Sequence, residues 1–420
     1  MKSSNKTRPI LCLTYYYGVK GCCPAEWADD KIYTMSKLGH KVILLSSASS
    51  KRCNLPNVMH YRIPSLSWVD FKHELNEIKE LGESPYKFNI LFSLPFIVTF
   101  GVLLDWIQKI LLNGLGGGKW AWTISSFCCA LPLAIYFNCQ KVFTTGGPAS
   151  SHLSGVLLKL LTRKKVICEL QDPLCGRKIG RNATSSRLLG LVEKIVIKTV
   201  DKIIYVTQSA AEEAKSRCPK YVDKIHAVYP GSRKFVFVED DIEKKENRKT
   251  LELIHLGTLY STRNLKTLIE AIDQMLSEGI INEGQITILN LGEIYGEIKE
   301  HHLSRSYVKQ KSILPREDAV REASHKMVSL LVQHDDDRSQ TTIPYKTYDY
   351  MNIGNPILGL TNSTELSNLL KMSGHLAVDI HNIGGIKKIL LNLITDYHSY
   401  QVAAQQSSIN IDEQVNLLLK

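Results

Sequence analysis

No Cys-X-X-Cys pair occurs among the ten cysteines of this 420-residue chain, which removes the commonest zinc and dithiol signatures. The adjacent pairs Cys22-Cys23 and Cys128-Cys129 are poorly disposed to hold one ion, so no metal site is expected. Internal repeats and low-complexity tracts are missing, which argues against a solenoid or a long disordered arm. A secretory leader is missing too: the opening MKSSNKTRP is polar, and ILCLTYYY is too short for a signal core. Reduced, buried thiols in a cytoplasmic protein are expected.

What is present is the composition of a folded globular chain, 44% hydrophobic and 22% charged. The length exceeds one ordinary core, and two domains of about 200 residues are expected. The net charge of +11 is unevenly placed. Residues 1–230 hold 31 Lys and Arg against 16 Asp and Glu, whereas residues 231–420 hold 21 against 25. A basic half suggests an anionic surface as partner. Because that half also holds the most apolar stretches, a membrane surface is favoured over nucleic acid.

Two of those stretches reach the length at which a membrane span is considered. Phe88–Leu104 has 17 residues without a charge and Trp120–Gln140 has 21, against about 20 for a span. Pro95 and Pro132 interrupt them, and the second run leads directly into the strand KVFTTGG. Trp120–Phe137 reads as a core helix. Phe88–Leu112 reads as a shallow in-plane or re-entrant contact, for which Trp106 and Lys109, with Trp120 and Trp122, suit a lipid–water interface.

The first half opens as strand, loop, helix and strand: Ile10–Tyr16, the loop GVKGCCPAEW, Ala28–Leu38 closed by Gly39, then HKVILLSS. Such alternation implies a parallel sheet. Further on, a strand ends at Thr145, Gly146-Gly147-Pro148 turns, and a helix begins near Ser150 with His152 in its first turn. The strand VICEL follows and ends at Asp172-Pro173. His152 and Asp172 thus stand at the carboxyl ends of adjacent parallel strands, where chemistry usually sits. Their bland readings are a capping or partly buried hydrogen bond for His152 and a turn for Asp172; position favours function. Arg177, Lys178, Arg181 and Arg187 follow in a Gly- and Ser-containing loop. A solvated face and a seat for an acceptor diphosphate or acidic lipid heads both remain open for them. Glu193–Thr199 reads as helix.

Lys234–Thr250 is charge-dense and reads as an exposed connection, placing a domain boundary near residue 235. The pattern then restarts with the strand LELIHLGTL, a loop over Tyr260–Asn264 and an amphipathic helix over Leu265–Ser277. That loop lies at a helix N-terminus, so its N–H groups and Arg263 can face a diphosphate. ITILNLGEI, a helix from Glu317 to Met327, and SLLVQHDDD come next. Asp335–Asp337 point in different directions and read as a solvated loop, since a hard cation wants spaced ligands. The most informative stretch is TTIPYKTYDYMNIGNPILGL. Pro344 suits a first helical turn, Tyr345–Ile353 can form the helix, Gly354 closes it, and Ile357–Leu360 reads as a buried strand. A helix opening after the flexible Thr341-Thr342 pair presents free N–H groups, and Lys346 adds a full charge: a phosphate seat.

The segment IPYKTYDYMNIGNPIL resembles PSKlfEYmaaGkPil of the family-4 retaining glycosyltransferases. GHKVILLSS, GTLYSTRNLKTLIEAI and Pro230-Gly231 resemble further segments of that family, and GGPASSH with ELQDP resembles a subgroup's P-x-x-S-H and D-P-W, with Leu174 in place of the tryptophan. The resemblance implies an α/β protein of two Rossmann-like domains facing a cleft, the GT-B arrangement, with residues 1–235, 236–400 and a helix over 401–420 returning to the first domain. It implies transfer of a sugar from a nucleotide diphosphate sugar, a UDP-sugar, with retention and without a metal. The implied acceptor is a membrane-held, polyprenyl diphosphate-linked saccharide of surface polysaccharide synthesis, met on the inner face of the plasma membrane. Donor contacts would fall on Gly21, Gly257, Thr258, Arg263, Thr341, Thr342, Pro344, Tyr345, Lys346 and Asp349, with His152 and Asp172 at the reacting sugar or acceptor. Three positions depart from the pattern. Thr258 stands where many members have arginine, Thr341 where they have the first of two acids, and Gly21-Cys22-Cys23 where they have paired glycines. Two other readings therefore remain: a nucleotide-sugar epimerase, and a degenerate homologue scaffolding a membrane assembly.

Overall fold

The computed structural model of the chain describes residues 8–19, 21–80, 82, 90–111, 119–176, 183–235, 248–405 and 409–420. It divides into two compact units, residues 1–230 with 411–420, and residues 231–410.

In the first unit, strands β1 (Ile10–Leu13), β2 (Val42–Ser47), β3 (Val58–Ile63), β4 (Lys141–Gly146), β5 (Lys165–Leu170), β6 (Lys202–Tyr205) and β7 (Ile225–Ala227) form one parallel sheet in the order β3-β2-β1-β4-β5-β6-β7. The connections carry α1 (Cys23–Lys37), α2 (Trp68–Glu80), α3 (Ile90–Leu111), α4 (Trp122–Tyr136), α5 (Ala149–Thr162), α6 (Ala183–Thr199) and α7 (Gln208–Arg217). The strands are apolar on both faces because both are covered. Leu11, Leu13, Val142, Val166 and Cys168 pack with α4, α5 and α6, while Ile10, Cys12, Phe143 and Ile167 pack with α1.

In the second unit, β8 (Leu251–Leu256), β9 (Ile286–Leu291), β10 (Val308–Lys311), β11 (Val328–Val332), β12 (Ile357–Leu360) and β13 (Leu376–Val378) form a second parallel sheet in the order β10-β9-β8-β11-β12-β13. Its helices are α8 (Lys266–Ser277), α9 (Ile298–Leu303), α10 (Arg316–Ser324), α11 (Lys346–Ile353), α12 (Thr364–Met372), α13 (Ile383–Thr395) and α14 (Tyr397–Gln405). On α8 the residues Leu268, Ile269, Ile272 and Met275 are buried at helical spacing, each adding roughly 1.5–3 kcal/mol of burial. A last helix, α15 (Ile411–Leu419), belongs to the first unit, where Ile411, Val415 and Leu418 join the core around Ile32 and Leu44.

The structure departs from the sequence reading at several elements. The chain passes to the second unit at Gly231, close to the expected 235, and returns at Ile411 rather than near 401. Helix α14 stays with the second unit because it closes over Gly374, where an added Cβ would lie 2.6 Å from the Ala403 carbonyl oxygen. Helix α6 begins ten residues before Glu193 and contains Arg187, so that residue stands on a helix and not in the expected loop. Helix α4 joins the core along one face only. Trp122, Ser126, Ala130 and Ala134 are buried, while Ile124, Ile135 and Tyr136 face outward. On α3, Ile97 is buried and Gly101 lies against the Leu66–Trp68 backbone; Phe96, Val98, Phe100, Val102 and Trp106 are exposed. Among the described residues no helix is long and apolar enough to cross a membrane.

Candidate functional site

In each sheet the first strand lies beside the fourth, β1 beside β4 and β8 beside β11. Loops leaving the carboxyl ends of such a pair run to opposite sides, which opens a crevice between them. In the second unit this switch point is densely built.

The loop after β8 turns at Gly257, whose φ is +109° and whose N–H donates to the Leu291 carbonyl at 2.7 Å. Gly292, with φ +149°, passes so close that an added Cβ would lie 2.4 Å from the Gly257 oxygen. Only glycine fits there. The two loops continue side by side: Leu259 donates to Glu293 O at 2.9 Å and Tyr295 to Leu259 O at 3.0 Å. Tyr260 and Arg263 exchange both backbone hydrogen bonds at 2.8 Å, forming a tight turn. That turn is fastened to the loop after β11. Asp335 N–H donates to Thr262 O at 2.7 Å, and His334 lies 3.0 Å from both Tyr260 OH and Thr262 Oγ1. Arg338 Nη2 donates to Thr262 Oγ1 at 3.0 Å. Burial, then the charges of Arg263 and Arg338, push His334 down to about 4, so it is neutral at pH 7.

Helix α11 enters this frame with Lys346 in its first turn and ends at Gly354, φ +78°. Lys346 Nζ donates to Leu256 O at 2.8 Å and to His255 Nε2 at 2.5 Å. Asn290 Nδ2 donates to Gly292 O at 2.7 Å, which leaves its Oδ1 to accept from His255 Nδ1 at 2.6 Å. The free lone pair of His255 therefore lies on Nε2, facing the ammonium. Burial first, and the Lys346 charge next, hold His255 well below its ordinary pKa. A neutral histidine and an asparagine, both fully buried, thus aim one lysine at the switch point.

Other expected donor residues lie around this core. Thr341 is buried at the end of a short 3-10 turn, Asp337–Gln340, and Thr342 Oγ1 donates to Arg338 O at 2.7 Å. Buried Gln333 shapes the same loop through Nε2, which donates to Ser339 O at 3.0 Å and Thr342 O at 2.6 Å. Thr258 and Pro344 are half-buried and Tyr345 is buried. Asp349 lies buried, with Arg316 Nε at 3.0 Å from Oδ2 and Nη2 at 2.6 Å from Oδ1. Arg316 also donates to Tyr345 OH at 3.0 Å and stacks over that ring at 4.7 Å and over Phe235 at 5.3 Å.

In the first unit, His152 is fully buried. Its Nε2 donates to Gly146 O at 3.3 Å, so Nδ1 accepts from Thr144 Oγ1 at 2.8 Å, and burial pushes the ring down to about 4. Both nitrogens hold the turn after β4. Asp172 is exposed, as are Gly21, Trp106 and Lys109. Arg177 and Lys178 lie outside the described residues. A polar network missed by the sequence reading fills this carboxyl edge. Lys31 pairs with Glu169 at 2.8 Å, Thr145 Oγ1 donates to Glu169 at 2.6 Å, and Gln171 Nε2 donates to Thr145 Oγ1 at 3.0 Å. Among the described residues no group of three or more His, Cys, Asp or Glu is arranged to hold a metal ion.

His255, Asn290, Arg316, Gln333, His334 and Arg338 were also missed. The available signal was a polar residue near the carboxyl end of an otherwise apolar strand: His255 in LELIHL, Asn290 in ITILNL and Gln333 just after VSLLV.

No family model matches the chain, and no curated protein matches it. Solved structures do. The Anabaena protein Alr3699/HepE, in complex with UDP-glucose, superimposes with a TM-score of 0.60 at 11% identity, covering 98% of this chain and 99% of that one. Sucrose-phosphate synthase from Thermosynechococcus elongatus gives 0.58 at 11%, covering 98% and 94%. A UDP-N-acetylglucosamine 2-epimerase gives 0.52 at 13%, covering 99% and 95%. At such identities the likeness establishes the fold, an α/β chain of two parallel-sheet Rossmann-like domains.

Proposed function

We propose that this chain is a glycosyltransferase that takes a sugar from a nucleotide diphosphate sugar, a UDP-sugar, and passes it on with retention. The observation that carries the reading is the cationic switch point of the second unit. Arg263, Lys346 and Arg338, the last paired with Asp336, gather around neutral His334, beside the opening turn of α11. Cations and helix N–H groups fixed in advance suit a diphosphate whose charge grows as the sugar leaves. On this reading the residues supply that charge stabilisation without a metal, with Gly257 letting the backbone approach the phosphates. Asp349 acts through Arg316, which it holds against Tyr345, rather than by touching the sugar. A fold shared with a protein bound to UDP-glucose supports this choice of donor.

The acceptor, following the sequence resemblance, is a membrane-held, polyprenyl diphosphate-linked saccharide of surface polysaccharide synthesis. The chain would work at the inner face of the plasma membrane, with Trp106 and Lys109 on the apolar helix α3 at the lipid boundary. An epimerase shares the fold and would share the donor. Product analysis separates the two, since an epimerase returns an altered sugar nucleotide and a transferase releases UDP.

The test is calorimetric binding and slow hydrolysis with a panel of UDP-, GDP- and dTDP-sugars, for wild type and Lys346→Ala. Selective binding of a UDP-sugar, weakened at least about tenfold by loss of the charge, is the expected result. Failure of every sugar nucleotide to bind the folded wild type overturns the reading and favours the scaffold.

A further inference from the structure

We infer that the outer face of the α4–α5–α6 layer is a docking surface for an anionic lipid membrane; this stands on a surface remote in sequence from the donor residues and does not depend on the donor reading. The three helices pack in sequence over one face of the first sheet. Their inner sides are ordinary, with Ala130 and Ala134 of α4, Val156 and Leu158 of α5, and Val196 and Ile197 of α6 all in one core. Their outer sides are not. On α5, Leu157, Leu160 and Leu161 stand at helical spacing, the last two 64% and 66% exposed. Helix α4 turns out Ile124, Ile135 and Tyr136, the tyrosine 81% exposed, and α6 turns out Leu191 and Ile195, one turn apart. A helix covering a sheet in water puts charged and polar residues at such positions. Adjacent helices that all expose large apolar side chains form a patch that marks an interaction surface.

The charge pattern selects the occupant. Between Asp105 and Glu169 there is no acidic residue. Of the seven Lys and Arg there, Arg163 and Lys164 close α5, while Lys141 and Lys165 bind the end of α15, Lys119 pairs with Asp70 and Lys159 with Asp201. On α6, Arg187, Lys194 and Lys198 fall on the same helical stripe as Leu191 and Ile195, and all three are exposed. The acid of that helix, Glu193, is turned inward onto Arg217 and Tyr205. Arg187, Lys194 and Lys198 beside an apolar band match the boundary of an anionic bilayer: the leucines enter the acyl edge and the cations reach the phosphates. A second copy of the chain docking through this face would set cation against cation. Nucleic acid would answer the cations and leave the leucines in water.

The test is flotation of the full chain with vesicles of phosphatidylcholine alone and of an equal mixture with phosphatidylglycerol, at low and high salt. The expected result is binding to the mixed vesicles only, weakened by salt. Lys194→Glu/Lys198→Glu should lose about fivefold or more for each charge reversed. Leu160→Ser/Leu161→Ser should lose at least about tenfold. Circular dichroism and melting temperature should be unchanged in both, since these side chains are exposed. Val98→Ser/Val102→Ser on α3 separates the two apolar surfaces. The proposal is overturned if wild type fails to float, if it binds neutral vesicles equally, or if only the α3 variant loses binding. A dimer in sedimentation that the Leu160/Leu161 variant dissociates would also overturn it and assign the face to a second copy.

Discussion

His152 and Glu74 show how one buried side chain sets a pH range, and they do so with opposite sign. Burial holds the folded His152 ring at about 4, whereas an unfolded histidine titrates near 6.5. Between those values the unfolded chain binds more protons, so stability falls as pH drops below 6.5, by up to ~1.4 kcal/mol per pH unit for a fully buried ring. His60 and His375, held at about 3 and about 4, act in the same direction. Glu74 is buried between Tyr15 OH, which donates at 2.7 Å, and the Ser65 N–H, and burial raises it to about 8. Here the folded state binds more protons above 4.5, so stability falls as pH rises from 4.5 toward 8. Glu74→Gln keeps an acceptor for Tyr15 without the ionisation. Its melting temperature relative to wild type should therefore rise between pH 5 and pH 8.5, by several degrees. A difference that does not change with pH would refute the raised pKa.

Helices α11 and α15 are short, eight and nine residues, and helices of that length are marginal in water unless packing and end contacts hold them. Helix α11 is fastened to β8 by two side chains. Leu256 N–H donates to Tyr350 OH at 2.9 Å and Leu256 O accepts from Lys346. Helix α15 is held at its end by lysines that open three adjacent strands. Lys141 donates to Leu419 O, Lys165 to Lys420 O at 2.6 Å, and Lys202 to Leu417 O at 2.7 Å. Cations at a helix carboxyl end stabilise it by roughly 0.3–1 kcal/mol each. Replacing all three lysines by methionine should speed amide exchange across 411–420 by about tenfold, with little change in the strands. Unchanged exchange would show that burial of Val415 and Leu418 alone holds the helix.

At the scale of the whole molecule, each unit has its own sheet and core, so unfolding in two calorimetric transitions is expected. All five tryptophans, Trp27, Trp68, Trp106, Trp120 and Trp122, lie in the first unit, so their fluorescence follows one transition only. If the switch point around Lys346 holds the donor, UDP at a hundred times its dissociation constant should stabilise the second unit by about 2.7 kcal/mol. It should raise the transition that tryptophan fluorescence does not follow. A shift confined to the fluorescent transition would place nucleotide binding in the first unit.

The alternation of short apolar runs with amphipathic helices was enough to read two α/β halves, because local burial periodicity is written residue by residue. The helix ending at Gly354 and the buried strand Ile357–Leu360 were equally local, set by a left-handed cap and an Asn-Pro stop. Lys346 and Arg263 were read as cations at helix starts for the same reason. The order of the strands was not local. Only the folded sheet puts β8 beside β11, and that adjacency brings Thr262 to His334 and His255 to Lys346 across 72 and 91 residues. Only the fold sets Arg316 against Asp349. Sequence placed His152 near the carboxyl end of a strand, but only the structure shows both of its nitrogens engaged, by Thr144 and Gly146. The sequence by itself determined the elements and their caps, which depend on neighbours a few residues away. Tertiary structure alone decided which polar groups face one another, because a buried hydrogen bond is made by whatever side chain the packing delivers, whatever its distance along the chain.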